Sequence, residues 1–322
     1  MPRAVRIHAY GGPESLKFED VDVGRPGPGD VRLVQKAIGI NYIDIYQRSG
    51  LYPLPALPAI LGLEGAGDVI EVGADVTDLK PGDRVAYAGC PGAYAEQRLA
   101  PADRLLKLPD AISYETAAAM MLQGMTVRYL LRQTYPVGPD TVVLLHAAAG
   151  GVGLIACQWA AALGATVIGT VSSPEKAVLA KSYGCTHVIV TSSEDYVARV
   201  QDITGGRGCD VVYDSVGKET YLGSLACLKP KGHWVSFGNS SGPVPPFDIT
   251  LLKGSLFATR PSLFSYTASR QDLLANAHDL FAIVASGKVR IAVNHRYALS
   301  EAASAHRDLE ARKTTGSIVL VP

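Results

Sequence analysis

The chain has 322 residues, enough for two domains with cores of their own. Hydrophobic residues make up 48% and charged residues 19%, the balance of a globular protein and not of a disordered one. Lys plus Arg and Asp plus Glu both count 30, so no basic excess points to nucleic acid.

Residues 1–122 read as a β-rich domain. The opening Met1-Pro2-Arg3-Ala4-Val5-Arg6-Ile7-His8 has no apolar run and predicts no signal peptide. Short β-prone runs fall at 4–9, 31–40, 67–72 and 84–87. They are separated by turns such as Gly11-Gly12-Pro13, residues 24–30 and Pro81-Gly82-Asp83. Residues 114–131 predict a helix, weakened at Gly124.

From Asp140 the pattern changes to alternating strands and helices. Residues 141–176 run strand, glycine turn, helix, second strand and the start of a second helix. The turn is Ala147-Ala148-Ala149-Gly150-Gly151-Val152-Gly153. Such a unit binds dinucleotides: glycines let backbone approach a pyrophosphate, and a helix N-terminus faces its charge. A membrane span over 152–171 is disfavoured by Gln158, by the helix stop at Gly164 and by the lack of a basic flank. The end of the second strand reports which dinucleotide fits. An NAD site places Asp or Glu about 20 residues after the first glycine to hold the ribose 2′-OH. Here that position is Thr170, followed by Val171, Ser172 and Ser173, with no acid before Glu175 and with Lys176 next. Neutral donors plus a cation suit a 2′-phosphate, which predicts NADPH. Ser173-Pro174-Glu175 also makes a good helix start, with Ser173 as N-cap.

Further strands follow at 187–190, 210–214 and 233–237, with a sixth candidate at 256–259. Helices are predicted at 176–183, 194–203 and 220–228. Six strands with crossover helices describe a doubly wound parallel sheet. Phe237-Gly238-Asn239-Ser240 closes the fifth strand at its carboxyl end, where ligands of such sheets lie. The tail, 266–322, predicts helices at 271–286 and 300–311 and a strand at 317–321 that returns to the first domain. The fold class is therefore α/β, a β-rich domain (1–122 with 266–322) and a dinucleotide domain (123–265). The five cysteines, at 90, 157, 185, 209 and 227, form no Cys-x-x-Cys pair. They suggest free thiols, mostly core filler, in a reducing cytoplasm.

The order of these parts resembles the medium-chain dehydrogenase/reductases, whose first domain is GroES-like. Several stretches are similar to one branch, the zinc-independent NADPH:quinone oxidoreductases. They are residues 37–44 (Ala-Ile-Gly-Ile-Asn-Tyr-Ile-Asp), 48–53 (Arg-Ser-Gly-Leu-Tyr-Pro), 146–153, 211–217, 236–242 and 254–257. Zinc relatives place Cys where this chain has Asn41, and Gly-His-Glu where it has Gly62-Leu63-Glu64. Leu63 cannot hold a metal and Asn41 is a poor zinc ligand. A structural zinc would need four close cysteines, and the first domain has only Cys90. The expectation is no metal at either position, with Glu64 a structural carboxylate.

Without a metal, hydrogen-bond donors must meet the negative charge that hydride transfer builds on an acceptor oxygen. The candidates are Asn41, Tyr42, Tyr46 and Tyr52. The resemblance implies that Asn41, Tyr46 and Tyr52 line the cleft near the nicotinamide. It also implies that Gln123 and Thr126 face that ring and that Arg312 helps to hold NADPH. Pocket-shaping alone is the alternative for the tyrosines, and a surface Arg at a helix end for Arg312. Two departures stand out: Gln123 replaces a Lys of some relatives, and Val190-Thr191 replaces a Tyr that touches the adenosine. His146 reads as structural.

The catalytic candidates are thus Asn41, Tyr46, Tyr52 and Gln123. The cofactor candidates are Asn41, Tyr46, Thr126, Gly150, Gly151, Val152, Ser172, Ser173, Lys176, Phe237, Gly238, Asn239, Ser240 and Arg312. The leading expectation is an NADPH-dependent quinone reductase. The alternatives are a reductase of activated C=C bonds (enone, alkenal or haloacrylate) and a non-catalytic NADPH-binding protein. Residues 254–260 read as an edge strand, and the resemblance implies a homodimer through it. No membrane or nucleic-acid partner is expected.

Overall fold

Alternation of buried and exposed side chains makes Asp30–Ile40 a strand, and in the computed structural model, which describes Met1–Pro322, it is the middle of a seven-stranded sheet. From Ala37 to Ile40 every side chain is buried, because this end of the strand is covered on both faces. Ile38 and Ile40 enter the main core with Val31, Leu33, Leu61, Val85, Tyr94 and Leu105. Ala37 packs on the other side with Ala118, Ala119 and Val319. Asp30–Ile40 pairs antiparallel with Glu64–Val72, Gln97–Pro101 and Ser317–Val321. The sheet runs on through Arg84–Ala88 to Leu106–Lys107, and past the closing strand to Val293–Ala298. A smaller sheet joins Lys17–Asp20, Arg3–Ile7 and Ala59–Ile60. These elements belong to one compact unit, Met1–Met125 with Thr267–Ala285 and Ile291–Pro322.

The helix predicted over 114–131 is divided differently. Tyr114–Ala118 ends, and Met121–Tyr129 begins, so the break falls at Ala119 and Met120 and not at Gly124. Buried Glu64 explains the restart, since its Oε2 accepts the Leu122 N–H (2.8 Å) in the first turn of the second helix. Gly124 serves packing: a Cβ there would lie 2.5 Å from Leu280 Cδ1, on the Arg270–Ala285 helix.

The second compact unit is Thr126–Tyr266 with Ser286–Arg290. Its sheet has six strands in the order His187–Val190, Thr166–Val171, Val142–Leu145, Cys209–Asp214, Leu228–Ser236, Phe257–Thr259. Every pairing is parallel. Numbered along the chain, the order is 3-2-1-4-5-6, the doubly wound arrangement of dinucleotide-binding folds. Leu144, Ile168, Ile189, Val212 and Trp234 form its core. The stretch 152–171 is a helix, Gly151–Ala162, followed by the strand Thr166–Val171, and no helix is long and apolar enough to cross a membrane. All five cysteines are buried and free of disulfides.

Candidate active site

In the second unit the first strand, Val142–Leu145, delivers residues 146–150 to the N-terminus of Gly151–Ala162. Gly150 is the N-cap and no side chain caps this helix, so its first-turn N–H groups face a neighbouring anion without a built-in competitor. A Cβ on Gly153 would lie 2.3 Å from the Ala147 carbonyl oxygen, so only glycine lets the helix start this close to the loop. Ala147 holds a φ of 55°, unusual for a residue with a side chain. The loop is pinned by Gly150 N–H to Ala147 O (2.9 Å) and Ala148 N–H to Thr170 O (3.0 Å).

His146 is buried beneath that loop. Its Nδ1 lies 3.0 Å from Thr170 Oγ1 and its Nε2 3.0 Å from Ser224 Oγ. Ser224 donates its own proton to Asp214 Oδ2 (2.8 Å), so His146 donates from Nε2 and accepts at Nδ1 from Thr170. Burial depresses the imidazole pKa, against the opposing pull of Asp214. Asp214 is fully buried and accepts from the Val216 and Gly217 N–H groups, Thr220, Ser224 and Trp234 Nε1. This carboxylate therefore shapes the turn after the fourth strand. The sequence marked His146 as structural but did not single out Asp214, whose partners come from separate elements.

At the end of the second strand, Ser173 is the N-cap of Pro174–Ser182, and its Oγ accepts the Lys176 N–H (3.4 Å). Ser172 precedes it, and no acidic side chain stands between Thr170 and Glu175. Phe237 N–H bonds to Asp214 O (2.8 Å) and Ser240 N–H to Ser215 O (3.2 Å), fixing the loop after the fifth strand. A Cβ on Gly238 would come 2.6 Å from Ser215 O. Asn239 and Thr126 are buried. These groups fit a dinucleotide phosphate with an extra 2′-phosphate: an uncapped helix start, a glycine-limited approach, and Ser172, Ser173 and Lys176 in place of an acid.

In the first unit, Asn41 is the N-cap of the Tyr42–Ser49 helix and is buried. Asp44 reaches back so that its Oδ2 accepts the Asn41 N–H (2.8 Å). The Ser317 hydroxyl donates to Gln123 Oε1 (2.7 Å), and Gln123 Nε2 donates to Asn41 Oδ1 (3.1 Å). Asn41 Nδ2 is buried without a hydrogen-bond partner, as is Glu64 Oε1. Burial pushes the Glu64 carboxyl well above the ordinary carboxylate range, opposed by the Leu122 N–H and the nearby Asn41 amide. The rings of Tyr46 and Tyr52 meet edge to face at 5.1 Å, and Tyr42 lies 6.1 Å from Tyr46. The Tyr42 hydroxyl donates to Leu309 O (3.1 Å) at the end of the Ala302–Glu310 helix, and Arg312 lies two residues past that helix with a φ of 57°. Leu63, at the position of a zinc relative's His, is buried, and no group of three or more His, Cys, Asp or Glu side chains is disposed to hold a metal ion.

Sequence reasoning assembled Asn41, Tyr46, Tyr52 and Gln123, and these four do fall within this unit. It missed Ser317, Tyr94, Arg48, His306 and Glu310, which pack behind them. The one signal for these was a histidine on the apolar side of the 300–311 helix.

Two family models match the chain: the alcohol dehydrogenase GroES-like domain over residues 27–110, and the zinc-binding dehydrogenase domain over residues 151–282. The chain is 54% identical to a quinone oxidoreductase of Pseudomonas aeruginosa, and 46% identical to a 2-haloacrylate reductase of a Burkholderia species. The first comparison covers 100% of both proteins, the second 100% of this chain and 99% of the relative. Among solved structures, the Escherichia coli quinone oxidoreductase in complex with NADPH has a TM-score of 0.98 at 49% identity, over 99% of this chain and 100% of that one. With both domains matched and the likeness running from end to end, the chain belongs to the quinone oxidoreductase branch of the medium-chain dehydrogenase/reductase superfamily.

Proposed function

We propose that this protein is an NADPH-dependent reductase that delivers a hydride to quinones without a zinc ion. The observation that carries the reading is Asn41, which stands where zinc relatives place a Cys and is bonded to Gln123; the Tyr46–Tyr52 ring pair in the same unit adds donors in place of a metal. The balanced reaction is quinone, NADPH and one proton giving hydroquinone and NADP⁺. Bound NADPH would supply the hydride.

The chain's own residues supply binding and charge stabilisation. Gly151 and Val152 offer backbone N–H groups to the pyrophosphate, and Gly150, whose own N–H is held by Ala147 O, lets the loop come close to it. Ser172, Ser173 and Lys176 take the 2′-phosphate, and Arg312 adds a second cation. In the second unit Thr126, Phe237, Gly238, Asn239 and Ser240 bound the nicotinamide end; in the first, Asn41 and Tyr46 are the cofactor candidates. Tyr46 and Tyr52 donate to the acceptor oxygen as charge develops on it. Gln123 keeps the Asn41 amide in one orientation. In this division residues 1–122 with 266–322 carry the acceptor chemistry and 123–265 the dinucleotide.

A second reading, reduction of an activated C=C bond, is favoured by the likeness to a 2-haloacrylate reductase. We also infer a cytoplasmic homodimer. Support for the dimer comes from Phe257–Thr259, which closes one edge of the parallel sheet with all three side chains exposed.

The test follows loss of nicotinamide absorbance from NADPH and from NADH, with benzoquinone and with an enone, each with and without a chelator. NADPH-preferring, chelator-insensitive oxidation by the quinone is expected. Oxidation by the enone alone would move the assignment to the second reading, and chelator inhibition would overturn the zinc-free mechanism.

A further inference from the structure

A buried chain of side chains runs behind the Tyr42–Ser49 helix, and its direction can be read from chemistry. Arg48 is buried and held by two bonds to Glu310 (3.0 and 2.6 Å) and one to Gly11 O (3.1 Å). Its Nη1 also lies 3.2 Å from His306 Nδ1. A guanidinium only donates, so His306 Nδ1 accepts and the ring proton sits on Nε2. Nε2 lies 2.9 Å from the Tyr94 oxygen, and donates to it. The Tyr94 proton is then directed to Asp44 Oδ2, 2.9 Å away, the same oxygen that accepts the Asn41 N–H. Asp44 is fully buried, and its other oxygen has no partner.

We propose that Tyr94, His306 and Arg48 are positioning residues that hold Asp44 as a carboxylate under Asn41, and so fix the turn from which Asn41 and Tyr46 act on the acceptor. The inference rests on the reductase reading above. It is distinct from mere stabilisation because the chain ends on a group that titrates. Burial raises the Asp44 carboxyl to about 7, while the Asn41 N–H and the Tyr94 hydroxyl hold it down. The other titratable groups around it are His306, pushed down to about 3 by burial and by Arg48, and Glu64, which burial and then the Asp44 charge push well above the ordinary carboxylate range. Arg48 and Glu310 lie behind His306. When Asp44 takes up a proton it becomes a weaker acceptor, and the Asn41 turn loses its anchor. Activity therefore falls as pH drops through the Asp44 titration. Removing the Tyr94 donor moves that fall to higher pH.

The experiment compares full-length wild type with Tyr94→Phe, which keeps the ring and deletes the hydroxyl. The pH profile of quinone kcat/KM is measured, together with the carboxyl titration of Asp44 by ¹³C NMR in the cofactor-free protein. The acid limb and the NMR midpoint should both rise by about one pH unit, the effect of losing one hydrogen bond to a carboxylate, and raising the pH should restore the lost activity. A uniform loss at every pH with the limb unmoved, or no change at all, would overturn the proposal. If Tyr94→Phe does not fold, Asp44→Asn keeps an oxygen for the Asn41 N–H and cannot titrate, so its acid limb should vanish, and a limb left at the wild-type pH overturns the proposal. A wild type that fails to oxidise NADPH with a quinone overturns the reductase reading, and this inference with it. A wild type that does so, with a stationary limb in the variant, overturns this inference alone.

Discussion

The hydroxyl of Ser317 donates to Gln123 Oε1 at 2.7 Å, sharing its proton with Ala119 O at 3.0 Å, and so ties the Gln123 amide to the closing strand. With Oε1 occupied, Nε2 turns to Asn41 Oδ1, and the Asn41 amide is oriented in its turn. Ser317→Ala removes the signal without adding bulk. We expect a stability loss of about 1 kcal/mol by chemical denaturation, the usual worth of a buried hydrogen bond. Quinone kcat should fall several-fold while NADPH affinity holds. A variant with unaltered kcat would mean that Gln123 orientation is irrelevant to turnover.

Arg312 occupies a left-handed backbone position just past the Ala302–Glu310 helix, a site where glycine is favoured. Arg312→Gly should therefore leave the fold as stable as the wild type or raise it by up to about 1 kcal/mol. If Arg312 holds NADPH as proposed, the same change should weaken NADPH binding about tenfold, through loss of a cation. Paired melting and fluorescence titration check this. A variant that is more stable and binds NADPH normally would return Arg312 to the role of a surface residue.

Cofactor choice is assigned to Ser172, Ser173 and Lys176. Lys176→Ala should raise the KM for NADPH about tenfold and leave that for NADH nearly unchanged. Ser172→Asp should reverse the preference, because a carboxylate repels the 2′-phosphate and accepts from a 2′-OH. Steady-state kinetics with both cofactors decide the matter. Equal losses for NADPH and NADH would place the 2′-phosphate elsewhere.

Stability should also respond to pH through two buried acids. Asp44 is raised to about 7 and Glu64 well above its ordinary value, both by burial. A carboxyl whose pKa is raised by folding stabilises the protein below its unfolded pKa. That contribution is lost as pH rises through the folded value. The window opens near pH 4, and for Asp44 it closes near 7. Every tenfold change in a proton-binding constant on folding corresponds to about 1.4 kcal/mol. His306, lowered to about 3, acts in the opposite sense, losing stability as pH falls below 6.5. Glu64→Gln keeps an oxygen for Leu122 and should flatten the loss of stability at alkaline pH in denaturation curves. A curve parallel to the wild type would show that Glu64 is charged in the folded state.

The dinucleotide unit was legible because its signals are local. Strand, glycine turn at 150–153, helix and acid-free strand end all lie within residues 141–176, roughly the span of a βαβ unit. The first unit was legible only in part. Lys17–Asp20, Ala59–Ile60 and Leu106–Lys107 are too short or polar to carry a periodic pattern, so they become strands only through their partners. Gly124 illustrates the same limit: composition marks it as a helix breaker, whereas the packing of Leu280 gives it a place inside a helix, and the real break is set by Glu64 from a distant strand. Arg48 and Asp44 sit one turn apart on the same helix, but the chain between them runs through His306 and Tyr94, far off in the sequence, and no spacing rule connects those.

Ser317–Val321 lies inside its sheet, between Val293–Ala298 and Asp30–Ile40. During synthesis the partner strand Asp30–Ile40 leaves the ribosome long before it, whereas the six strands of the dinucleotide sheet emerge within one uninterrupted stretch. The dinucleotide unit is thus free to fold first, while the acceptor unit waits with an open sheet edge and an unoriented Gln123 until its most distant contacts form. A nascent or prematurely terminated chain would be able to capture nucleotide before it could turn it over, and its exposed Asp30–Ile40 edge is where misassembly would begin.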